Sequence, residues 1–351
     1  MGKKLKIGLI GAGGIVRGAH LNPGWLQVPD CEVAAVCDIH RLTAEKLAGD
    51  FGIPQVFTDY RELLKLKEID AVDISTPNRI HTPAVLASFA AGKHVLCEKP
   101  LAVSVAEIRQ MAAAARKAKK LLMTAQHQRF RGESIAIKKW AEAGNLGGVY
   151  HARVNATRRN WLPVNPGFID PKLSGGGPCM DIGVHALDTA MWVMDFPKPV
   201  RVSGRAAVNF AKGYEIPGGW GEWDRKLFGV EDFAVGFVHF ENGATMTLEA
   251  SWLQHQGGED FSFTLLGKKA GVQWPEGRFY TSSNRVLVDG KILPEAGLPP
   301  PHTGEIQAFA KAVREGQKSP VPVEQTLYVI AILEGIMQSS RLGREVKLKL
   351  P

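Results

Sequence analysis

The chain has 351 residues, 45% of them apolar, and a formal charge of +8. That length exceeds what one hydrophobic core usually serves, so two domains are expected, and no apolar run is long enough to span a membrane. The basic residues are scattered apart from Arg116-Lys117-Ala118-Lys119-Lys120, which closes a helical pattern and suits its dipole, so an anionic small molecule is expected as partner rather than nucleic acid.

The opening MGKKLKIGLIGAGG runs straight into a strand. Its apolar stretch is short and broken by glycine, and no cleavage site follows, so no signal peptide is expected. Cys31, Cys37, Cys97 and Cys179 lack CxxC spacing, and three of them lie in or beside apolar runs. Buried reduced thiols in a cytoplasmic protein are the expectation.

Continuous apolar runs at 6–10, 33–37, 71–75, 94–97 and 121–125 alternate with helical patterns at 42–51, 83–91 and 104–119. Strands apolar on both faces mark a parallel sheet, and the βαβ order predicts a doubly wound Rossmann domain over 1–126. From 127 to 351 the pattern changes. After a helix at 133–143, runs at 149–156, 200–208, 233–240, 244–252, 261–266 and 285–288 alternate as half-covered strands do. Asn242-Gly243 and Asp289-Gly290 are read as hairpin turns, and 305–314 and 324–342 as closing helices. An α+β domain with an open, mostly antiparallel sheet and helices on one face is expected, serving substrate binding and oligomerisation.

Gly11-Ala12-Gly13-Gly14-Ile15-Val16 follows a strand and opens a helix. Gly11 allows the tight turn, and Gly13 lets the backbone approach a pyrophosphate held at the helix N-terminus. The third fingerprint position is Val16 instead of Gly or Ala. Asp38 ends the second strand about 20 residues further on, where a carboxylate accepts hydrogen bonds from a ribose diol and repels a 2′-phosphate. NAD is therefore expected over NADP, although His40 and Arg41 lie close by.

Two strand ends carry Ser75-Thr76-Pro77-Asn78-Arg79-Ile80-His81 and Cys97-Glu98-Lys99-Pro100. A residue ahead of proline is held extended, which aims Lys99 at the crevice. In Gly175-Gly176-Gly177-Pro178-Cys179-Met180-Asp181-Ile182-Gly183-Val184-His185, Pro178 suits the first position of a helix, with Asp181 and His185 on one face. Those two residues make sense as a structural pair, as a general base with its orienting acid, or with Cys179 as the start of a metal site. No second ligand cluster accompanies them, so no metal is expected.

The string DAVDISTPNRIHTPAVLASFAAGKHVLCEKPLA at 70–102, with GGGPCMDIGVHALD, resembles the glucose–fructose oxidoreductase / inositol dehydrogenase / rhizopine catabolism (Gfo/Idh/MocA) family. The likeness also takes in Gln126-His127-Gln128-Arg129-Phe130 and Ser339-Ser340-Arg341-Leu342-Gly343-Arg344, and so covers nearly the whole chain. It implies a nicotinamide-dependent dehydrogenase or reductase acting on a secondary alcohol of a sugar, sugar derivative or cyclitol. Lys99, Asp181 and His185 fall on the family's catalytic positions. Gly11, Gly13, Ile15, Asp38, Thr76, Asn78, His81, Glu98 and Lys99 fall on its cofactor contacts, and a cis Lys99–Pro100 bond is implied. Gln126, Arg129, Arg158 and Trp161, with Asp181 and His185, are expected to line the substrate pocket. The glycine- and tryptophan-bearing segment 214–228 is read as a lid or a subunit contact. A homodimer or homotetramer is expected. Redox-neutral glycoside cleavage with recycled NAD, and a non-catalytic NAD-binding sensor, are the alternatives the family leaves open.

Overall fold

The computed structural model describes residues 4–350; residues 1–3, on which part of the reading of the N-terminus rests, lie outside the described residues. The chain forms two compact units. One comprises the residues up to Phe130 together with Pro299–Thr326, and the other Arg131–Leu298 together with the residues from Leu327 onward.

In the first unit, β1 (Leu5–Ile10), β2 (Cys31–Cys37), β3 (Gln55–Phe57), β4 (Ala71–Ile74), β5 (His94–Glu98) and β6 (Leu122–Ala125) form one sheet in the order β3-β2-β1-β4-β5-β6. Every adjacent pair is parallel. The chain winds outward from β1 through β2 and β3, then crosses back to β4 and winds the other way. The crevice at the carboxyl ends of β1 and β4 is thus the switch point where such sheets take ligands. β4 and β6 are buried throughout, the polar Asp73 and Thr124 included.

The helix Val105–Ala118 shows why the sequence stops and starts where it does. Ser104 Oγ accepts the Glu107 N–H, and Glu107 reaches back to Val103 N–H, a reciprocal cap. The chain leaves that helix at Lys119, with φ 53°.

The sequence reading gave all of 127–351 to one substrate domain, whereas the helix Pro301–Glu315 joins the first unit. Its Ile306, Phe309 and Ala310 enter the same core as Leu9, Val16, Leu21 and Trp25, with Trp25 and Phe309 edge to face. Amphipathic spacing made it a helix, and the apolar face left beside Trp25 decides where that helix packs.

The second unit holds β7 (Val149–Thr157), β8 (Pro199–Ala207), β9 (Phe233–Phe240), β10 (Thr245–Ser251), β11 (Asp260–Gly267), β12 (Ala270–Trp274), β13 (Arg278–Ser283), β14 (Val286–Lys291) and β15 (Val346–Lys347). They form one open sheet, β14-β13-β12-β11-β7-β10-β9-β8-β15, antiparallel except for the β7–β10 pair. Along β9 alternate residues are buried and the rest are not, the signature of a sheet covered on one face. Gly183 and Ile336 reach the covered face from two helices, against Ala250 and against Gly204 and Gly236 respectively.

Asn242-Gly243 makes the expected turn, with Gly243 at φ 84° and hydrogen bonds linking Phe240 to Gly243 and Ala244. Asp289-Gly290 does not. Both residues lie inside β14, paired with Tyr280 and Phe279, and the chain reverses at Asn284 and Arg285 instead, both at positive φ. A Cβ on Gly290 would meet the far edge of the Phe279 ring, which packs over this glycine. Among the described residues, no helix is long and apolar enough to cross a membrane.

Candidate active site

β1 ends in Ile10, and the backbone turns at Gly11 with φ 108°; a Cβ there would come within 2.4 Å of the Ser75 carbonyl oxygen. Any side chain at Gly11 would therefore push β1 and β4 apart at the switch point. Nothing lies within 4 Å of where a Cβ of Gly13 or Gly14 would be, so that side of the turn is open. Val16, the departure from the fingerprint, is 1% exposed and fills the core with Leu9 and Leu21. Ile15 beside it is exposed. Asp38 is pinned to the turn, its carboxylate accepting Ala12 N–H and His40 N–H, each at 2.9 Å. An open glycine turn, a helix start and a fixed acid together fit a dinucleotide.

At the end of β4, the Thr76 hydroxyl is buried with no hydrogen-bond partner, and Asn78 opens the helix Asn78–Ala90. His81, fully buried, sets its two ring nitrogens 2.9 Å from the carbonyl oxygens of Pro100 and Thr76. It braces the loops after β4 and β5 against each other, and burial holds its pKa below the ordinary value.

Glu98 ends β5. One carboxylate oxygen accepts Lys99 N–H at 2.9 Å, and the other lies 2.8 Å from His20 Nε2. His20 Nδ1 is 2.8 Å from Asp73, which also accepts the Trp25 indole N–H at 2.7 Å. Burial opposes a charge on His20, yet the carboxylates of Asp73 and Glu98 outweigh it and hold the pKa well above 6.5. Burial likewise works to raise Glu98, but His20, with help from Lys99, brings it down to about 2. A buried carboxylate–imidazolium–carboxylate chain thus ends on the backbone of the half-buried Lys99. The Lys99–Pro100 bond is cis, as the resemblance implies.

Gln126, just past β6, is wholly buried, and neither its amide nitrogen nor its oxygen has a hydrogen-bond partner. An open amide at a strand end is what a ligand would complete. Arg129 is buried too, with Nη1 donating to Gln325 at 2.6 Å, which ties the loop after β6 to the returning segment. The His127 and His302 rings stack at 3.9 Å, and burial together with His302 pushes His127 down to about 3.

His20, His302 and Glu305 bring ligand-type atoms within 4.8 Å of one another. Both nitrogens of His20 already face carboxylates, however, so the group reads as a charge network. Glu305 accepts from His302 at 3.0 Å through one oxygen, its other oxygen has no partner, and burial raises it to about 7. Its folded pKa exceeds the ordinary 4.5, so the native state binds more protons and stability falls as pH rises between those values. Glu305→Gln is expected to flatten that decline and to raise the urea midpoint above neutral pH. An unchanged midpoint across the pH series would contradict the assignment.

In the second unit, Pro178 opens the short helical turn Cys179–Gly183, which continues as Val184–Val193. Glu231 clamps its start, one oxygen accepting Gly177 N–H at 2.9 Å and the other Cys179 N–H at 3.4 Å. Its neighbour Asp232 gathers the N–H groups of Asn209, Phe210 and Ala211. The side chain of Asp181 is 12% exposed; it accepts the Trp252 indole N–H at 3.0 Å and lies 3.8 Å from Arg158 Nη1. His185 is 8% exposed. Arg158 donates to the Trp161 carbonyl oxygen at 3.2 Å. Burial raises the Cys179 thiol well above its ordinary pKa, so it stays protonated, as burial also does for Cys31 at about 11 and Cys37 at about 12.

Sequence reasoning missed His20, Asp73, Trp252 and Glu231. The acidic pair Glu231-Asp232 just ahead of β9 was a visible signal, but its partners lie far back in the chain.

Residues 5–126 match the oxidoreductase family with an NAD-binding Rossmann fold, and residues 135–273 match the Gfo/Idh/MocA C-terminal domain. The chain belongs to the Gfo/Idh/MocA oxidoreductase family. It is 31% identical to D-glucoside 3-dehydrogenase of Escherichia coli over 98% of this chain and 97% of that protein. It is 27% identical to D-xylose 1-dehydrogenase (NADP(+)) 2 of Haloferax volcanii, over 98% of this chain and 100% of that one. A solved levoglucosan dehydrogenase in complex with NADH shares the fold at a TM-score of 0.82 and 24% identity, covering 99% of this chain and 100% of its own. The protein is thus an oxidoreductase with a nicotinamide-binding Rossmann domain.

Proposed function

We propose that the protein is an NAD-dependent dehydrogenase that interconverts a secondary alcohol and a ketone on a sugar or sugar derivative, with Lys99, Asp181 and His185 as its catalytic groups. The observation that carries this reading is Lys99, fixed through Glu98 at the end of the same sheet whose first turn is open to a pyrophosphate. The named relatives, dehydrogenases of a glucoside and of xylose, support a sugar as substrate.

NAD would be held by Gly11, Gly13, Ile15, Asp38, Thr76, Asn78 and Glu98, and when bound would supply hydride exchange. In the oxidative direction the imidazole of His185 takes the hydroxyl proton. The Lys99 ammonium donates to that oxygen as carbonyl character develops and favours the partial negative charge there. Asp181, anchored by the Trp252 indole, orients the imidazole or the neighbouring substrate hydroxyls. Gln126, Arg158 and Trp161 line the sugar. His81 and Arg129 serve by bracing the loops on which these groups stand.

A panel of hexoses, glycosides, uronates and inositols, scored by the absorbance of NADH, tests the reading; no reduction of NAD by any of them would remove it. NAD is preferred to NADP because Asp38 keeps lone pairs for a ribose diol and repels a 2′-phosphate. Asp38→Ala is expected to weaken NAD by about tenfold, the loss of charge-assisted hydrogen bonds, and NADP by less. Equal weakening in a fluorescence titration would end the ribose assignment. The buried thiols suit a cytoplasmic protein. The half-exposed face of the second sheet, where Phe237 is exposed, suits a homodimer or homotetramer, to be measured by light scattering.

A further inference from the structure

Within the second unit, aromatic and polar groups form a continuous chain that begins at Asp181. The guanidinium of Arg158 lies 3.8 Å from the Asp181 carboxylate and 4.9 Å above the Trp220 ring. Trp220 in turn lies 5.3 Å from Trp161, its ring tilted at 54°. The loop that carries Trp220 is fastened to this wall. Gly219 N–H donates to the Asn160 carbonyl at 2.7 Å, and Asn160 donates to the Pro217 carbonyl at 3.1 Å. A Cβ on Gly219 would come within 2.6 Å of the Trp161 ring, so the loop backbone lies flat against that indole. Further along the loop, Trp223 is buried and donates to the Ala211 carbonyl at 2.7 Å. Of the two loop tryptophans, one is an anchor. The other, Trp220, is 50% exposed.

The half-exposed indole, flanked by Arg158 and Trp161, leaves apolar area that a ligand can cover. Aromatic faces take the apolar C–H face of a pyranose, or an aromatic substituent, at little entropic cost. One guanidinium separates the Asp181 carboxylate from the Trp220 ring, so both ends of this wall are within reach of a single molecule larger than one free sugar.

We propose that Trp220, backed by Trp161 and Arg158, is an aromatic platform for the second ring or aglycone of a glycoside, and that it makes glycosides preferred substrates over free monosaccharides. This rests on the sugar dehydrogenase reading and adds to it the class of substrate. The segment 214–228 then serves as a substrate wall.

The test compares the full-length wild type with Trp220→Ala and Trp220→Phe, on free glucose, methyl glucoside and phenyl glucoside. Trp220→Ala is expected to raise KM for the phenyl glucoside by about tenfold, the loss of one stacked ring, with kcat little changed. Free glucose is expected to keep its kcat/KM within about twofold, and Trp220→Phe to recover most of the loss. Equal loss on all three sugars, or no loss on the glycosides, overturns the platform while leaving the dehydrogenase reading intact. If the wild type reduces no NAD with any sugar, that reading falls by itself. Calorimetric binding of phenyl glucoside to the wild type and Trp220→Ala then decides the platform independently: tighter binding by the wild type supports it, and equal binding overturns it.

Discussion

Lys99→Ala and His185→Ala are each expected to lower kcat by about 10²- to 10⁴-fold, the range for a lost proton-transfer or oxyanion-stabilising group. NAD affinity is expected to stay within a few-fold of wild type, because the turn at Gly11 and the anchored Asp38 belong to other segments. Each substitution spares a backbone contact. Lys99 is tied to Glu98 through its backbone N–H, which alanine retains. His185 accepts the Thr189 hydroxyl through its backbone carbonyl, so that bond also survives. Unfolding free energies from urea titration within about 1 kcal/mol of wild type would show that folding is preserved. Normal turnover in either variant would remove that residue from the mechanism.

The sequence made the first half legible because its signals are local. An apolar run, a glycine turn and an acid at a set distance fall within about 40 residues, and each has one physical meaning there. What escaped was either short or distant. β3 is three half-buried residues and has no period to detect. β12 and β13 escaped although Pro275-Glu276-Gly277 between them carries turn chemistry, with Gly277 at φ 72°. Asp289-Gly290 carries the composition of a turn, but its glycine makes room for Phe279, so composition alone misplaced the reversal. The helix Pro301–Glu315 was legible as a helix but not as part of the first unit, since amphipathic spacing gives a face without saying what covers it. The same limit applies at the site. Lys99, Asp181 and His185 stand in motifs, whereas His20 is a lone histidine whose partners lie 53 and 78 residues away.

His20→Ala is expected to cost about 3–5 kcal/mol of stability, the range for breaking a buried ion pair by removing one partner. Asp73 and Glu98 are 1% and 7% exposed, and without the imidazolium each loses its buried positive neighbour. The variant relieves that strain by taking up a proton, and the sign of its pH dependence follows. In the wild type, Glu98 at about 2 contributes stability that is present above 4.5 and is lost as pH falls toward 2. His20, raised above 6.5, contributes stability that is complete below 6.5 and is lost only as pH climbs through its own elevated pKa. The alanine variant lacks the source of both terms, so its deficit is largest between those limits and narrows in acid. A second readout separates structure from catalysis. Where the variant is folded, the Glu98 carboxylate that holds Lys99 N–H is no longer fixed from behind, so kcat falls, and KM for NAD, which Glu98 is proposed to contact, rises with it. Glu98→Gln keeps an acceptor for Lys99 N–H and is expected to lose less kcat than His20→Ala. A His20→Ala protein with wild-type stability across the pH series would mean that the two carboxylates do not depend on the imidazolium.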